Sequence, residues 1–263
     1  MSTNSNEGMA FTRRQALAGI AVGGATAAAL GRDGRGAGAN ALGGVRDDDA
    51  HQDAAARPPA FAGQHAMVPL PFDAAKLNGI SAKLITSHHE NNYGAAVKNL
   101  NKVEGELAKV AADTAPFLVA GLRERELMFR NSKTLHEAYF ANLGGNGKRS
   151  GAIEAALGTA YGSLTTWETH FRATGMSLGG GSGWVTLSWE LFTGSMRTAW
   201  SGNHTQVLAS SVPLLVMDMY EHAYQMDFGA AHAKYIDTFF TNVNWDEVNA
   251  RLERAQRASA ALR

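Results

Sequence analysis

Apolar residues recur at helical spacing along two stretches of the chain. Residues 80–107 form the first stretch, in which the apolar positions follow one face of an α-helix. Asn91, Asn92 and Gly94 interrupt the good helix formers there, so we expect a bend or an irregular turn. Residues 124–143 form the second stretch, which stops at the glycine-rich run 144–147. The pattern predicts a long helical hairpin.

The pattern changes after this glycine-rich run. Two helices are expected within residues 150–174, separated by residues 158–163. Runs rich in β-branched and aromatic residues then predict three strands, over residues 184–189, 194–200 and 212–217. Helix resumes from about residue 220 and again from residue 245. This order indicates an α+β fold, in which the N-terminal helical hairpin precedes an α/β domain with a small antiparallel sheet.

The composition narrows the class of protein. Hydrophobic residues make up 45% of the chain and charged residues 18%, as in ordinary globular proteins. Lys plus Arg equals Asp plus Glu at 24 each, which argues against nucleic acid or an anionic membrane as the main partner. The chain has no cysteine, so disulfides and thiolate metal sites are excluded. Any metal must be held by nitrogen and oxygen.

The first 41 residues have the features of an export signal. Arg13 and Arg14 stand directly before a mildly apolar run over residues 16–30, which is too short for a membrane span. The arginine pair resembles the twin-arginine export signal of bacteria. Residues 39–41 offer an A-x-A cleavage site, and residues 27–29 an earlier one. We expect an exported protein, periplasmic or secreted; the alternative is a disordered leader that happens to contain two arginines.

These features divide the chain into four segments. We predict a signal peptide over residues 1–41 and a flexible linker, rich in Gly, Ala, Asp and Pro, over residues 42–66. The helical hairpin domain is expected over residues 67–148, and the C-terminal α/β domain over residues 149–263.

A carboxylate and an imidazole stand four residues apart at Asp218 and His222. This spacing fits one helical turn or a strand-to-helix junction, and oxygen and nitrogen together suit manganese or iron. His88 and His136, one in each hairpin helix, would complete three nitrogens and one oxygen, leaving a position open for a small substrate. Taken singly, each of these two histidines is more often a hydrogen-bonded core residue. The set of four predicts a metal site.

The other histidines are weaker candidates for metal ligands. His51 and His65 fall in the predicted linker and are expected to be solvated, and His170 is expected on a helix surface. His89 lies on a different helix face from His88, and would be the ligand only if the first helix slipped by one residue.

The chain from about residue 68 to residue 252 resembles the iron/manganese superoxide dismutase family. The resemblance rests on five elements in family order, namely His88 in a helix ending Asn99-Leu100-Asn101, Leu135-His136 with Tyr139 and Phe140, Gly181-Ser182-Gly183-Trp184, Asp218-x-x-Glu221-His222-Ala223-Tyr224, and Asn242-Val243-Asn244-Trp245. Tyr220 stands where the family usually has tryptophan. One such element would be weak, but all of them in order are specific.

The resemblance implies conversion of superoxide to oxygen and hydrogen peroxide through a single redox-cycling Mn or Fe ion per subunit. It implies that the ion is held by His88, His136, Asp218 and His222. It also implies a homodimer in which Glu221 of one subunit hydrogen-bonds His222 of the other. Tyr139, Trp184 and Tyr220 would form an apolar wall around the site.

The resemblance also shows departures from the family. The family's gateway residues fall at four positions that here carry other side chains, Asn92, Ala96, Gln225 and His232. His204 stands where the family places a glutamine that hydrogen-bonds the metal-bound solvent, and would take that role; Gln206 or a water is the alternative. The altered gateway leaves two other functions open, a different redox enzyme on the same scaffold or a non-catalytic metal-binding envelope protein. The sequence does not choose manganese over iron.

Overall fold

The computed structural model describes residues 57–262. The predicted signal peptide, and residues 42–56 of the predicted linker, lie outside them. The first long helical run has three parts: α1 (Ala82–Ser87), one π-helical turn (His88–Tyr93) and α2 (Gly94–Leu107). The irregular turn expected near Asn91 and Gly94 is therefore confirmed. A π-helical turn adds a residue to the ordinary helical turn, which rotates the side chains after it relative to those before it.

The second hairpin helix, α3, spans Pro116–Ala141 and packs against α2. It begins eight residues before the predicted start, so that boundary was wrong. Pro116 stands in the first helical turn, where its missing N–H costs nothing. No side chain from 116 to 131 is buried, so the sequence there lacks the periodicity that a core-facing helix shows.

Two helices follow the hairpin, α4 (Ala152–Tyr161) and α5 (Leu164–Met176). The predicted separation over residues 158–163 is wrong in extent, since only two residues part the helices. Gly162 ends α4 with a φ of +79°, the left-handed conformation that glycine adopts without strain. Gly158 remains inside α4.

Three antiparallel strands form one sheet in the order β2-β1-β3. They are β1 (Trp184–Glu190), β2 (Ser195–Ser201) and β3 (Ser211–Asp218), within about one residue of the predicted runs. The β1–β3 register pairs Trp184 with Asp218, which places the indole beside the carboxylate. A Cβ on Gly183 would lie 2.2 Å from the Ser201 carbonyl oxygen, so only glycine allows this approach. The predicted antiparallel sheet is confirmed.

Short turns rather than one helix follow β3. A 3₁₀ turn (Glu221–Ala223) leads into α6 (Gln225–Phe228), and then α7 (His232–Thr241) and α8 (Trp245–Ala261) complete the described chain. Among the described residues, no helix is both long enough and apolar enough to cross a membrane.

Helices cover the sheet, and one side of it meets the hairpin. Helix α5 packs on β1 and β2, α8 packs on β1 and β3, and α3 packs on β3. Because α3 and β3 are in contact, side chains of the hairpin and of the C-terminal domain meet at the end of β3.

The end of the predicted linker packs against the hairpin. We call residues 63–68 the strap. Glu104 of α2, only 2% exposed, accepts hydrogen bonds from the Gly63 N–H at 2.8 Å and from Nε2 of His65 at 2.8 Å. Nη2 of Arg130 lies 2.6 Å from the same carboxylate. His65 is therefore held by a buried acid, which differs from the solvated position expected for it.

Candidate metal centre

Four side chains from three regions of the chain meet at the end of β3. His88 opens the π-helical turn, His136 lies on α3, Asp218 ends β3, and His222 lies in the 3₁₀ turn. Asp218 and His222 thus span a strand-to-turn junction. Their candidate ligand atoms all lie within 4.8 Å of one another. The first three side chains are buried, and the His222 side chain is 26% exposed.

The nitrogens of this cluster converge on one carboxylate oxygen. Oδ2 of Asp218 lies 3.1 Å from Nε2 of His88, 3.7 Å from Nε2 of His136 and 3.3 Å from Nε2 of His222. Within residues 57–262, both His88 nitrogens and Nε2 of His136 are buried without a hydrogen-bond partner. Buried polar atoms are rarely left unpaired, so these nitrogens indicate a missing binding partner. A cation coordinated by all four side chains would satisfy them, and three nitrogens with one oxygen suit manganese or iron.

The backbone of α3 orients one of these imidazoles. Nδ1 of His136 lies 2.7 Å from the Ser132 carbonyl oxygen, one helical turn earlier, and therefore carries the proton and donates it. Nε2 then keeps its lone pair, directed at the cluster. A hydrogen bond to the distal nitrogen is the usual way in which a metal-ligating histidine is held. Sequence reasoning missed this contact, because a backbone carbonyl leaves no signal in the sequence.

Burial and charge set the protonation states of the cluster. Burial lowers the pKa of His136 to about 3, and the neighbouring His88 adds to the lowering. Burial likewise lowers the pKa of His88, although Asp218 opposes it. Burial alone would raise the pKa of Asp218, but the nearby imidazoles of His222 and His88 outweigh it and hold that pKa well below its usual range. At neutral pH the cluster thus presents the Asp218 carboxylate and the neutral imidazoles of His88 and His136.

Aromatic side chains surround the cluster. Trp184 and Tyr139 are fully buried, and the His136 ring lies 5.0 Å from the Trp184 ring. The Tyr139 hydroxyl is 3.3 Å from that of Tyr235, which donates to the Asp218 backbone carbonyl at 2.8 Å. Burial raises the pKa of Tyr139, so its hydroxyl keeps its proton at neutral pH.

His204 lies beside the cluster in the loop between β2 and β3. The Trp184 indole N–H donates to Nδ1 of His204 at 2.9 Å. An indole nitrogen is only a donor, so Nδ1 of His204 must be the acceptor and Nε2 of the neutral ring carries the proton. Burial lowers the pKa of His204, which favours this neutral form. Tyr220 stacks on the ring with centroids 4.7 Å apart and planes at 11°.

The helical hairpin also fixes the loop that carries His204. Nδ2 of Asn131, on α3, donates to the His204 backbone carbonyl at 2.7 Å. Oε1 of Gln206, the alternative to His204 in the sequence, accepts the Gly202 N–H at 2.9 Å and is engaged there. Sequence reasoning missed Asn131, since nothing in its helical surroundings marks a contact with a loop more than seventy residues later.

The other histidines stand apart from this cluster. Nε2 of His89 donates to the Val68 carbonyl of the strap at 2.8 Å, which excludes the one-residue slip of the first helix. His170 is exposed, as expected. His232 packs edge-on against Tyr224, with ring centroids 5.2 Å apart.

Known proteins are similar in sequence to this chain over most of their own length. Residues 149–251 match the C-terminal domain of iron/manganese superoxide dismutases. An iron superoxide dismutase of Cupriavidus metallidurans is 45% identical over 192 residues, which cover 73% of this chain and 98% of that protein. The chain belongs to the iron/manganese superoxide dismutase family. An iron superoxide dismutase of Aquifex pyrophilus is 34% identical over 71% of this chain and 91% of its own length. A manganese superoxide dismutase of Haloferax volcanii is 29% identical over 71% and 94%.

The first helix after His88 is buried at one of the predicted gateway positions. Ala96 is 4% exposed there and has no polar group to offer. Tyr93 is 1% exposed; its hydroxyl donates to Oε1 of Glu137 at 2.6 Å and accepts the Val68 N–H at 2.8 Å. Through these two hydrogen bonds, the Tyr93 hydroxyl links the strap to α3.

Proposed function

We propose that this protein converts superoxide to oxygen and hydrogen peroxide at a single manganese or iron ion held by His88, His136, Asp218 and His222. The observation that carries the proposal is the convergence of four ligand atoms within 4.8 Å of one another, with three buried nitrogens unpartnered in the described chain. When bound, the ion would supply one-electron redox chemistry, by which one superoxide is oxidised to oxygen and a second, with two protons, is reduced to hydrogen peroxide. Relatives that carry either metal in their names support both choices.

The chain's own residues set the charge and shape of the site. The low pKa of Asp218 keeps it an anion, so it offsets part of the charge of the ion. Ser132 holds the His136 ring through its carbonyl at 2.7 Å. Trp184 and Tyr139, both fully buried, would keep water and other reductants away from a bound ion.

His204 supplies a hydrogen-bond donor to the site. Because Trp184 engages Nδ1, the proton on Nε2 is the one that His204 can direct at an anion. In this tautomer the Nε2–H of His204 is a hydrogen-bond donor, in place of the N–H that an amide side chain would provide. His204 thereby stabilises negative charge beside the ion.

The test is made on purified full-length protein. Bound manganese and iron are measured by elemental analysis, and superoxide-dependent activity is measured on the same sample. We expect about one ion per chain and a rate far above that of the free ion. If the protein binds stoichiometric metal but its superoxide-dependent rate does not exceed that of the free ion, the dismutase proposal is wrong. The protein would then be a non-catalytic metal-binding protein.

A matched pair of variants tests the ligand set. His136→Ala removes one ligand and should lose the metal, whereas His89→Ala changes a neighbouring histidine that bonds the Val68 carbonyl and should keep it. Equal metal loss in both variants would contradict the assignment.

We also propose a homodimer in which Glu221 of one subunit accepts a hydrogen bond from His222 of the other. Glu221 is exposed and the His222 side chain is partly exposed, so both are accessible to a second copy. Glu221→Ala should lower the sedimenting mass by half; an unchanged mass would refute this interface.

We further propose export through a twin-arginine signal in residues 1–41, to the periplasm or the medium. The support is the Arg13-Arg14 pair before an apolar run, and about a quarter of this chain has no counterpart in the Cupriavidus metallidurans relative. In a bacterial host, changing both arginines to lysine should retain the protein in the cytoplasm. Export of that variant would contradict the proposal.

A further inference from the structure

One face of the central strand β1 is buried but carries hydroxyl groups. Side chains alternate along a strand, so Thr186 and Ser188 share a face with Trp184. Val185 and Leu187, on the opposite face, belong to the hydrophobic core. Thr186 is 8% exposed and Ser188 is 1% exposed. A buried hydroxyl lowers stability unless it is hydrogen-bonded, so this face indicates a polar binding partner.

A cavity of about 180 Å³ lies between this face, α3 and the loop after β2, and we call it the sheet cavity. Thr186 and Ser188 line it, and Leu135, Val207 and Leu208 supply apolar walls. Within residues 57–262, its lining includes no charged side chain and none of the four side chains of the metal centre. Pockets for drug-sized ligands measure about 300–1,000 Å³, so this cavity admits only a small molecule. Its uncharged lining favours a neutral molecule over an anion such as superoxide.

The Thr186 and Ser188 hydroxyls have unused hydrogen-bonding capacity. Oγ1 of Thr186 lies 3.0 Å from Oγ of Ser188, and within the described chain these two oxygens bond only each other. That bond uses one of their two protons, so one donor and several lone pairs are free. The amides of the lining are engaged, because Nδ2 of Asn131 donates to the His204 carbonyl and Oε1 of Gln206 accepts a backbone N–H of the same loop. The hydroxyl pair is therefore available to a ligand.

We propose that the sheet cavity binds a small neutral molecule with two neighbouring hydroxyl groups, a vicinal diol. The free proton and the lone pairs of the Thr186–Ser188 pair can bond both diol oxygens, because neighbouring hydroxyls of a diol lie close together, as the two side-chain oxygens do. The apolar walls at Leu135 and Leu208 cover the carbon chain of the ligand. The proposal does not rest on the proposed function, since the cavity has its own lining and binding there needs no reaction at the metal.

The experiment titrates full-length, metal-loaded protein with 1,2-hexanediol in a calorimeter. We expect a dissociation constant of about 1–10 mM, because so small a ligand gains limited binding energy. The matched probe is 1,6-hexanediol, which has the same atoms but separated hydroxyls, and it should bind about tenfold more weakly because it cannot bond the hydroxyl pair twice. Equal affinity for the two isomers would overturn the proposal. So would a protein that binds neither isomer, since the cavity would then hold water only.

A set of variants tests whether 1,2-hexanediol binds at the hydroxyl pair. Thr186→Val keeps the branched shape of the side chain and Ser188→Ala removes only the oxygen, so both proteins should fold and keep their metal. Each should bind the diol about tenfold more weakly than the wild-type protein.

The matched control is Thr159→Val, which makes the same change at an exposed hydroxyl of α4 that bonds the Ala155 carbonyl one turn earlier. It should keep the wild-type affinity. Wild-type affinity in both Thr186→Val and Ser188→Ala would overturn the proposal, because the diol would then bind elsewhere. An equal loss of affinity in the Thr159→Val control would contradict it as well.

Discussion

At the scale of single residues, the bond from the Trp184 indole to His204 decides which imidazole nitrogen carries a proton. That choice is made in three dimensions, by a donor on β1 and an acceptor in the loop after β2 at 2.9 Å. The sequence indicated His204 as a candidate by its position alone. It did not indicate the tautomer, which depends on a partner twenty residues earlier.

Replacing His204 tests this assignment. His204→Ala removes the donor on Nε2 and should lower superoxide-dependent activity about 10- to 100-fold, as losses around metal sites do, while the metal content stays unchanged. His204→Gln keeps an N–H donor and should retain most of the activity. Activity is measured by superoxide decay at matched metal content. Equal activity in both variants and the wild-type protein would show that His204 has no role in the reaction.

The candidate metal centre contains four side chains that the sequence indicated and one backbone contact that it did not. His88, His136, Asp218 and His222 were predictable, because each stands in a motif with a specific spacing. The Ser132 carbonyl that orients His136 was not, since every residue has a carbonyl and only the helix brings this one to 2.7 Å.

At the scale of elements, the strap joins the start of the described chain to the hairpin. Its anchor, Glu104, is 2% exposed and meets two donors of the strap, besides Arg130 of α3. The strap also contacts the π-helical turn, where Val68 bonds both His89 and Tyr93. The strap therefore supports the segment that positions His88.

Glu104→Gln tests the strap. The change removes the charge from a buried acceptor and should lower the free energy of unfolding by about 1–3 kcal/mol, because its donors lose charge-assisted bonds. Glu106→Gln is the control, since Glu106 is exposed on the same helix and, within residues 57–262, pairs only with Lys109; we expect a change within about 0.5 kcal/mol. Both are measured by denaturant unfolding of the metal-loaded protein. Similar values for the two variants would exclude an anchoring role for Glu104.

Element boundaries were predictable where local chemistry fixes them and not elsewhere. The glycine-rich run after the hairpin and the strand from Trp184 stand where the sequence indicates. The start of α3 was misplaced because its exposed first half carries no core-facing period. The predicted separation between α4 and α5 was too long, because Gly158 is tolerated inside α4. Gly162, with φ at +79°, ends that helix.

At the scale of the whole molecule, the buried histidines link stability to pH. The pKa of His136 is about 3 in the folded protein, and an unfolded histidine has a pKa of about 6.5. Below about pH 6.5 the unfolded chain therefore binds a proton that the folded chain excludes, so stability decreases as the pH falls. Asp218, whose pKa is also lowered on folding, adds to this loss only below about pH 5, where unfolded aspartate begins to protonate.

We expect the metal-free protein to lose up to about 1.4 kcal/mol per pH unit from His136 alone between about pH 6 and pH 4. Metal-loaded protein should unfold at higher temperature than metal-free protein at pH 7.5, because the ion binds only the folded cluster. Thermal unfolding of both forms across this range checks the prediction. A metal-free protein as stable at pH 5 as at pH 7.5 would contradict the buried, neutral state of His136.

The sequence by itself indicated the family, the α+β class and the four side chains of the candidate metal cluster, because motif order and spacing are properties of the chain. Only the tertiary structure decided how hairpin and sheet complete one cluster. Packing of α3 on β3 and on the π-helical turn brings candidate ligand atoms of His88, His136 and Asp218 within 4.8 Å of one another, and no local pattern encodes such a distance. The same holds for the Asn131 bond to the His204 loop and for the uncovered face of α3. The local sequence determines which interactions a side chain is able to make, whereas tertiary packing determines which groups it contacts.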